Sequence, residues 1–492
     1  MSEKRSQSAA SSFVFKLLES FGNQGIAFVV SLVLGRLLTP DDYGVLSLLL
    51  VFTAIAQVFV QSGLNTALIQ RAEIDETDRS SVFFLGLAIA ALLYTALFFA
   101  APAVEGFFGM EGLARYLRVL ALILFPGALT SVQNAVIARE MSFRKLMTAS
   151  LAATVLSGCV GVGMALRGLG VWALVGQQLT NQFSLCVLLL VLVRWRPHFC
   201  FSLRRVKSLF SFGWKLLLSS LMDTGYQHLR SFVIGKKFSS EELGYFNRGK
   251  QFPELLMNAV NGSIQSVMLP VLSEQQDDLE RMKQTMRRSI MASSFLVLPL
   301  MAGLAAVARP LVSLLLTDKW LPCVPFLQIC CIDFAFYPIH TANLQAINAM
   351  GRSDVFLKLE IVKKSYGIAI LCVTVFCFEG VLPIVWGAVV STVISSFVNA
   401  FPNKKLIHYG YWEQIRDILP PIGMSLVMFL AVSALGRLPL GNLPLLLVQV
   451  AAGVLLYGGM SLLFKPESFR CLVQMAAALR RKAARSKGGT EA

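Results

Sequence analysis

The feature that most limits what this chain can become is the run of long apolar blocks along it. Val45–Val60, Val82–Ala101, Leu185–Val193, Phe295–Val307, Ile368–Phe378 and Leu443–Phe464 carry few or no charges. With moderately polar flanks they reach the roughly 20 residues that span a hydrocarbon core as a helix. Lipid offers no partner for backbone N–H and C=O groups, so spanning segments are helices or closed barrels. These blocks are continuous rather than alternating, which selects helices. Composition agrees: 55% of the 492 residues are hydrophobic and 15% charged, against about 25% in soluble domains.

The segments between polar turns predict an all-α integral membrane protein of about 14 spans, near residues 13–37, 42–66, 80–103, 114–138, 146–167, 170–194, 207–235, 241–271, 286–309, 322–348, 354–378, 381–402, 416–436 and 443–464. Residues 1–12 read as a short polar tail without a secretory cleavage pattern, so the first span is expected to be retained. With an even number of spans, the termini and alternate loops on one side carry about 27 Lys and Arg, the other side 8. The positive-inside rule then places both termini in the cytoplasm, and a chain of many helical spans is expected in the inner (plasma) membrane.

The net charge of +16 sits in short loops and no nucleic-acid motif accompanies it, so no nucleic-acid partner is expected. The basic tail 465–492 either lies on the membrane surface or is solvated. Nine cysteines without CxxC spacing and four scattered histidines point to neither a metal site nor disulfides. No phosphate-binding lysine loop, Gly-x-Ser-x-Gly or paired-carboxylate site has a loop large enough to hold it, so neither enzyme chemistry nor a cofactor is expected.

The chain also repeats itself. Gly35-Arg-Leu-Leu-Thr-Pro-Asp-Asp-Tyr-Gly44 and Gly235-Lys-Lys-Phe-Ser-Ser-Glu-Glu-Leu-Gly244 lie 200 residues apart without a gap. Each has a Ser or Thr suited to cap a helix whose first turn holds two acids, which the helix dipole favours. Ala135–Leu146 and Ala346–Leu357 echo one another in the same way, as do the Gly-Val-Trp of 170–172 and the Val-Trp of 385–386. The expected organisation is a tail (1–12), a six-helix lobe (13–205), a second six-helix lobe (206–402), two appended helices (403–464) and the basic tail (465–492). Six helices separate the copies, so they insert as parallel repeats, an architecture of transporters.

Ionisable residues inside spans are functional candidates. The first span carries Lys16, Glu19 and Asn23 on one face and ends near Arg36. The seventh carries Lys215, Asp223 and Arg230, and the eighth a stripe of Arg248, Lys250, Gln251, Glu254, Asn258, Asn261 and Gln265. The tenth has Asp333, Tyr337 and His340, with Pro338 as a kink, and the eleventh has Glu360 with Lys363 and Lys364. Residues near span ends, such as Lys16, Arg248 and Lys250, have the alternative of snorkelling to the interface. Cations outnumber acids within the spans, which suits an anionic substrate. We take Lys16, Arg36, Lys215, Arg230, Arg248, Lys250, Gln251, Asn258, Asn261 and Gln265 as candidate cavity residues. Glu19, Asp223, Glu254 and Asp333 are the candidates for H⁺ or Na⁺ coupling.

The Gly35–Gly44 stretch, then Phe59-Val-Gln-Ser-Gly-Leu-Asn-Thr-Ala-Leu-Ile-Gln-Arg71, resembles the bacterial polysaccharide transporters of the Wzx type (colanic-acid-exporter-like). These belong to the multidrug/oligosaccharidyl-lipid/polysaccharide exporter superfamily. Gly170-Val-Trp-Ala-Leu-Val175 and Leu243-Gly-Tyr-Phe-Asn-Arg-Gly249 look similar too, and the likeness covers about residues 10–460. It implies a two-lobe, fourteen-helix flippase. Its substrate would be an undecaprenyl-diphosphate-linked oligosaccharide, moved to the periplasmic leaflet by alternating access for exopolysaccharide or lipopolysaccharide synthesis. Membrane lipids and a polysaccharide polymerase or export machinery are the implied partners. The competing reading is an ion-coupled multidrug or small-molecule antiporter of the same superfamily, which would favour an acidic cavity over this cationic one.

Overall fold

In the computed structural model the backbone is described for residues 2–61, 64–71, 74–193 and 195–474. Side chains are described for these residues except 2–18, 21, 64, 66, 70, 212, 259, 263, 264, 266 and 267. Helices joined by short turns make up the described chain, which contains no strand. It divides into two compact units, residues 1–247 and 248–492.

The first unit holds α1 (Ser2–Leu37), α2 (Pro40–Gln61), α3 (Leu64–Gln70), α4 (Glu76–Phe108), α5 (Leu113–Leu120), α6 (Leu124–Glu140), α7 (Phe143–Leu166), α8 (Val171–Leu192), α9 (Leu203–Lys237) and the start of α10 (Ser240–Ser273). Here α7 lies between α1 and α8, while α2 packs on α4, α6, α8 and α9. One apolar core joins Leu68, Val132, Val136, Leu189, Trp195 and Leu209; another joins Ala56, Val60, Ala90 and Leu124.

The second unit holds the rest of α10, then α11 (Leu279–Ala306), α12 (Ala308–Leu316), α13 (Val324–Ala335), α14 (Tyr337–Ala349), α15 (Ser353–Cys377), α16 (Leu382–Leu406), α17 (Tyr411–Leu435) and α18 (Asn442–Phe464). Its centre is α11, packed on α13, α14 and α17; α16 covers α13 to α15, and α18 lies on α17 and α12. A helical segment at 467–474 follows Pro466, with Phe469 and Leu472 against Phe295 and Tyr457. The basic tail beyond residue 474 lies outside the described residues.

Ten helical stretches among the described residues are long and apolar enough to cross a membrane: α2, α4, α5–α6, α7, α8, α11, the stretch Asp318–Ala349 containing α13 and α14, α16, α17 and α18. Of the other long helices, α1 contributes a shorter apolar stretch, Gly22–Leu37, while α9, α10 and α15 carry many of the polar residues picked out above. The Pro338 kink is a break between α13 and α14 at Phe336, with the proline in the first turn of α14, where its missing N–H leaves no bond unmade. α1 begins at Ser2 and runs through the segment read as a polar tail. Packing divides the chain at 247/248 and the repeat at 205/206, because α9 rests on α2, α3 and α4.

The repeated segments build the same local structure twice. The Thr39 hydroxyl accepts the Asp42 N–H at 3.2 Å while the Asp42 carboxylate accepts the Thr39 N–H at 2.9 Å, a reciprocal cap with Pro40 at the first helical position. In the second copy the Ser239 hydroxyl accepts the Glu242 N–H at 3.1 Å. The two capped helix starts cross. A Cβ on Gly44 would lie 1.7 Å from the Ser240 carbonyl oxygen, and one on Gly244 would lie 1.9 Å from that of Pro40. Glycine at the tenth position of each copy is thus a requirement of backbone against backbone. The Ser240 hydroxyl adds a bond to the Asp41 carboxylate.

Candidate functional site

α9 is the helix on which polar exposure is longest. Leu209 at its start is buried with α3 and α6 side chains, and Ile234 and Gly235 at its end are buried, the latter beside Leu48 of α2. Between them Ser211, Lys215, Ser219, Asp223 and Gln227 are exposed at every fourth residue, one face of the helix. Trp214, Leu218 and Met222 are exposed on a neighbouring face. Arg230, a turn further on, is half-buried, and Ser231 donates to Asn247 of α10 at 3.4 Å. A charged face is costly in hydrocarbon, so the Lys215–Asp223 stripe is the candidate for a water-facing surface.

The first span joins its neighbours through polar bonds. Asn23 donates to Glu19 at 3.1 Å, Ser150 of α7 reaches the same carboxylate oxygen at 3.5 Å, and Thr154 donates to Asn23 at 3.0 Å. Asn181 of α8 extends this ladder to Ser157 at 3.3 Å. Glu19 and Asn23 therefore sit in the packing between α1 and α7. The Lys16 side chain lies outside the described residues, and Arg36 is exposed in the last turn of α1.

The α10 stripe divides by environment. Arg248 is buried, stacked 5.2 Å from the Trp320 ring and donating to Gln251 at 2.5 Å. Next to it, Gly249 packs directly on the backbone of Cys323 and Leu327. Lys250 and Glu254 pair at 3.8 Å and are part exposed. Asn258 and Gln265 are exposed, whereas Asn261 accepts a hydrogen bond from Thr341 of α14.

Asp333 of α13 accepts from Thr392 of α16, and His340 of α14 shares a 3.0 Å hydrogen bond with Asn399 of α16. On α15, Lys363 and Lys364 both approach Glu360, the expected local pairing, and Tyr366 bonds Ser395 of α16. The polar face of α16 (Ser391, Thr392, Ser395, Asn399, Asn403) escaped the sequence reading, although its spacing of four in an apolar span was a visible signal. Ser150, Thr154 and Ser157 of α7 carried the same signal at i, i+4 and i+7.

A cavity of about 390 Å³ at the start of α11 and α17 was also unforeseen; Arg287, Glu413, Arg416, Asp417, Glu467 and Ser468 line it. The Arg287 guanidinium forks to Asp417 at 2.8 Å and to Glu467 at 2.6 and 2.7 Å. Tyr409 donates to Asp417 at 2.7 Å, and burial and that carboxylate push its hydroxyl well above the usual phenol range. With both acids already holding Arg287, this cavity is a clasp between helix ends. Among the described residues no three His, Cys, Asp or Glu side chains gather into a metal set.

Many apolar helices enclosing buried polar ladders and one exposed polar helix define a multi-pass membrane protein of transporter type. The chain belongs to the family described as polysaccharide biosynthesis protein, whose model matches residues 33–325, and is a Wzx-type polysaccharide transporter of the exporter superfamily named above. Its family is one of transporters rather than enzymes. It is 23% identical over 473 residues to the succinoglycan biosynthesis transport protein ExoT of Rhizobium meliloti (strain 1021), covering 96% of each chain. With the lipopolysaccharide biosynthesis protein WzxC of Escherichia coli (strain K12) it shares 24% identity, over 85% of this chain and 86% of that one. Among solved structures the fold is similar to the lipid II flippase MurJ in an inward closed conformation, with TM-score 0.76, 13% identity and coverage of 92% of this chain and 98% of that one. An inward-facing multidrug transporter of the MATE family is also similar, with TM-score 0.57, 14% identity and coverage of 82% and 96%.

Proposed function

We propose that the chain is a flippase for undecaprenyl-diphosphate-linked oligosaccharide, carrying it from the cytoplasmic to the periplasmic leaflet of the inner membrane. The observation that carries this reading is the exposed Ser211–Gln227 face of α9, a surface bearing Lys215, Asp223 and serine hydroxyls in a transporter of the polysaccharide family. Lys215 neutralises diphosphate charge, with Arg230, Lys16 and Arg36 as further cations. Asn258, Gln265 and the α9 serines accept and donate to sugar hydroxyls. Fourteen spans form two parallel six-helix lobes, 13–205 and 206–402, with 403–464 appended and both termini cytoplasmic. Alternating access of the lobes moves the headgroup while the lipid tail stays in the bilayer.

Glu19, Asp223, Glu254 and Asp333 are the residues for H⁺ or Na⁺ coupling, and the polymerase or export machinery receives the product. Support comes from family membership, from the fold shared with MurJ and from the cation-rich spans. The test is headgroup accessibility of a labelled lipid-linked oligosaccharide in proteoliposomes. Lys215→Ala and Arg230→Ala proteins that are folded and flip at the wild-type rate would overturn the cationic-cavity reading.

A further inference from the structure

The linker between α8 and α9 is strapped to the start of α4 yet presents its apolar side chains outward. Trp195 is buried and its indole N–H donates to Glu76 at 2.8 Å. The backbone N–H groups of His198 and Ser202 donate to the buried hydroxyls of Ser80 at 3.1 Å and Ser81 at 3.0 Å. Arg205 closes the strap on Asp75 at 2.6 Å and Asp78 at 3.3 Å. Between these fastenings the chain makes a tight turn, the Cys200 N–H donating to the His198 carbonyl at 2.7 Å, before the helix starts at Leu203. Phe199, Phe201 and Leu203 are 101%, 53% and 71% exposed, and only the Phe84 ring, 5.8 Å from that of Phe199, stacks on them.

Three large apolar side chains held out by a fastened backbone require a cover. Charge identifies it. Arg196, Arg204 and Lys207 are exposed around the apolar row, while the nearby acids Asp75, Asp78 and Glu76 are engaged by Arg205 and Trp195. The row begins seven residues after Leu192, the last residue of a helix apolar enough to cross the membrane, which keeps it near the hydrocarbon edge. Aromatic residues flanked by basic ones at that depth are the pattern of an interfacial anchor.

We infer that residues 196–207 form a membrane-surface anchor: Phe199, Phe201 and Leu203 enter the acyl boundary and Arg196, Arg204 and Lys207 bind anionic phospholipid headgroups. Because α9 starts at Leu203, the anchor ties the position of the Lys215 helix to the charge of the membrane surface. It is independent of the glycan carried.

The test places the photo-crosslinker p-benzoylphenylalanine at position 199 of the full chain. The protein is reconstituted in phosphatidylcholine vesicles with a minor share of phosphatidylglycerol, and adducts are identified by mass. The expected adducts are phospholipids, with the anionic lipid enriched about fivefold over its share of the vesicle, the effect of one engaged charge. The Arg196→Gln/Arg204→Gln/Lys207→Gln protein keeps the lipid adducts but loses the enrichment. The same crosslinker at Leu455, exposed on α18, reports insertion and folding. Lipid adducts at 455 with none at 199, or a protein adduct at 199, would overturn the anchor. Lipid adducts at the vesicle's own ratio, alike in both proteins, would overturn headgroup recognition.

Discussion

At the scale of single residues, burial separates side chains that the sequence pattern grouped together. Lys215 and Arg248 both read as cavity cations from their helical positions. Periodicity assigns a face to each but says nothing of which neighbour covers it. Arg248 lies under Trp320 and bonds Gln251, whereas Lys215 is exposed. Arg248→Ala is therefore expected to destabilise the fold by about 2–4 kcal/mol through lost packing and an emptied polar site. Lys215→Ala leaves the melting temperature in detergent unchanged and lowers flipping. Thermal unfolding beside the transport assay separates the two; equal melting temperatures for both proteins would contradict this placement. The glycine pair gives a second residue-scale prediction. Gly44→Ala or Gly244→Ala drives a methyl into facing backbone and is expected to cost about 1–3 kcal/mol or more. Gly25→Ala, with open space where its Cβ would go, keeps the wild-type melting temperature.

At the scale of elements, helix positions were legible because apolar length and turn chemistry are local properties. The Thr39 and Ser239 caps, the Pro338 break and the extents of α8, α16 and α18 all follow from the residues on the spot. Contacts between distant elements were not legible. Nothing near Arg287 in sequence announces that Asp417, 130 positions on, and Glu467, 180 positions on, will meet its guanidinium. That fork ties α11, α17 and the segment after α18 together, and Tyr409 holds Asp417 in place. Arg287→Met is expected to cost about 1–3 kcal/mol, because Asp417 loses a charged partner in a half-buried setting. It should also loosen the 467–474 segment from Phe295. Limited proteolysis checks this: cleavage near Lys465 should speed up in the variant, while sites in the α7–α8 loop keep the wild-type rate. Unchanged cleavage at Lys465 would mean that Phe469 and Leu472 hold the segment without the fork.

At the scale of the whole chain, the polarity of individual helices carries more functional information than the total number of spans. α1, α9, α10 and α15 are the long helices outside those ten stretches, and thirteen of the fourteen candidate site residues lie on the first three. α1 and α9 are the opening helices of the two repeats, so the 200-residue offset duplicates polarity as well as the Gly–Gly crossing. Without these four helices ten spans would remain. With ten, the basic loops 71–79, 139–145, 194–207, 281–288 and 352 would share one side while the N-terminus, the loop 404–416 and the basic C-terminal tail fell on the other, splitting the basic segments between the two sides. The charge asymmetry therefore argues for counting them, and topology reporters can decide it. Fusions that are active only in the periplasm should be active after Leu169 and after Leu438, and silent after Met141, after Gly351 and after Pro466. A reporter active after both Met141 and Gly351 would show that the polar helices do not cross. The repeat would then describe two surface segments rather than two membrane lobes.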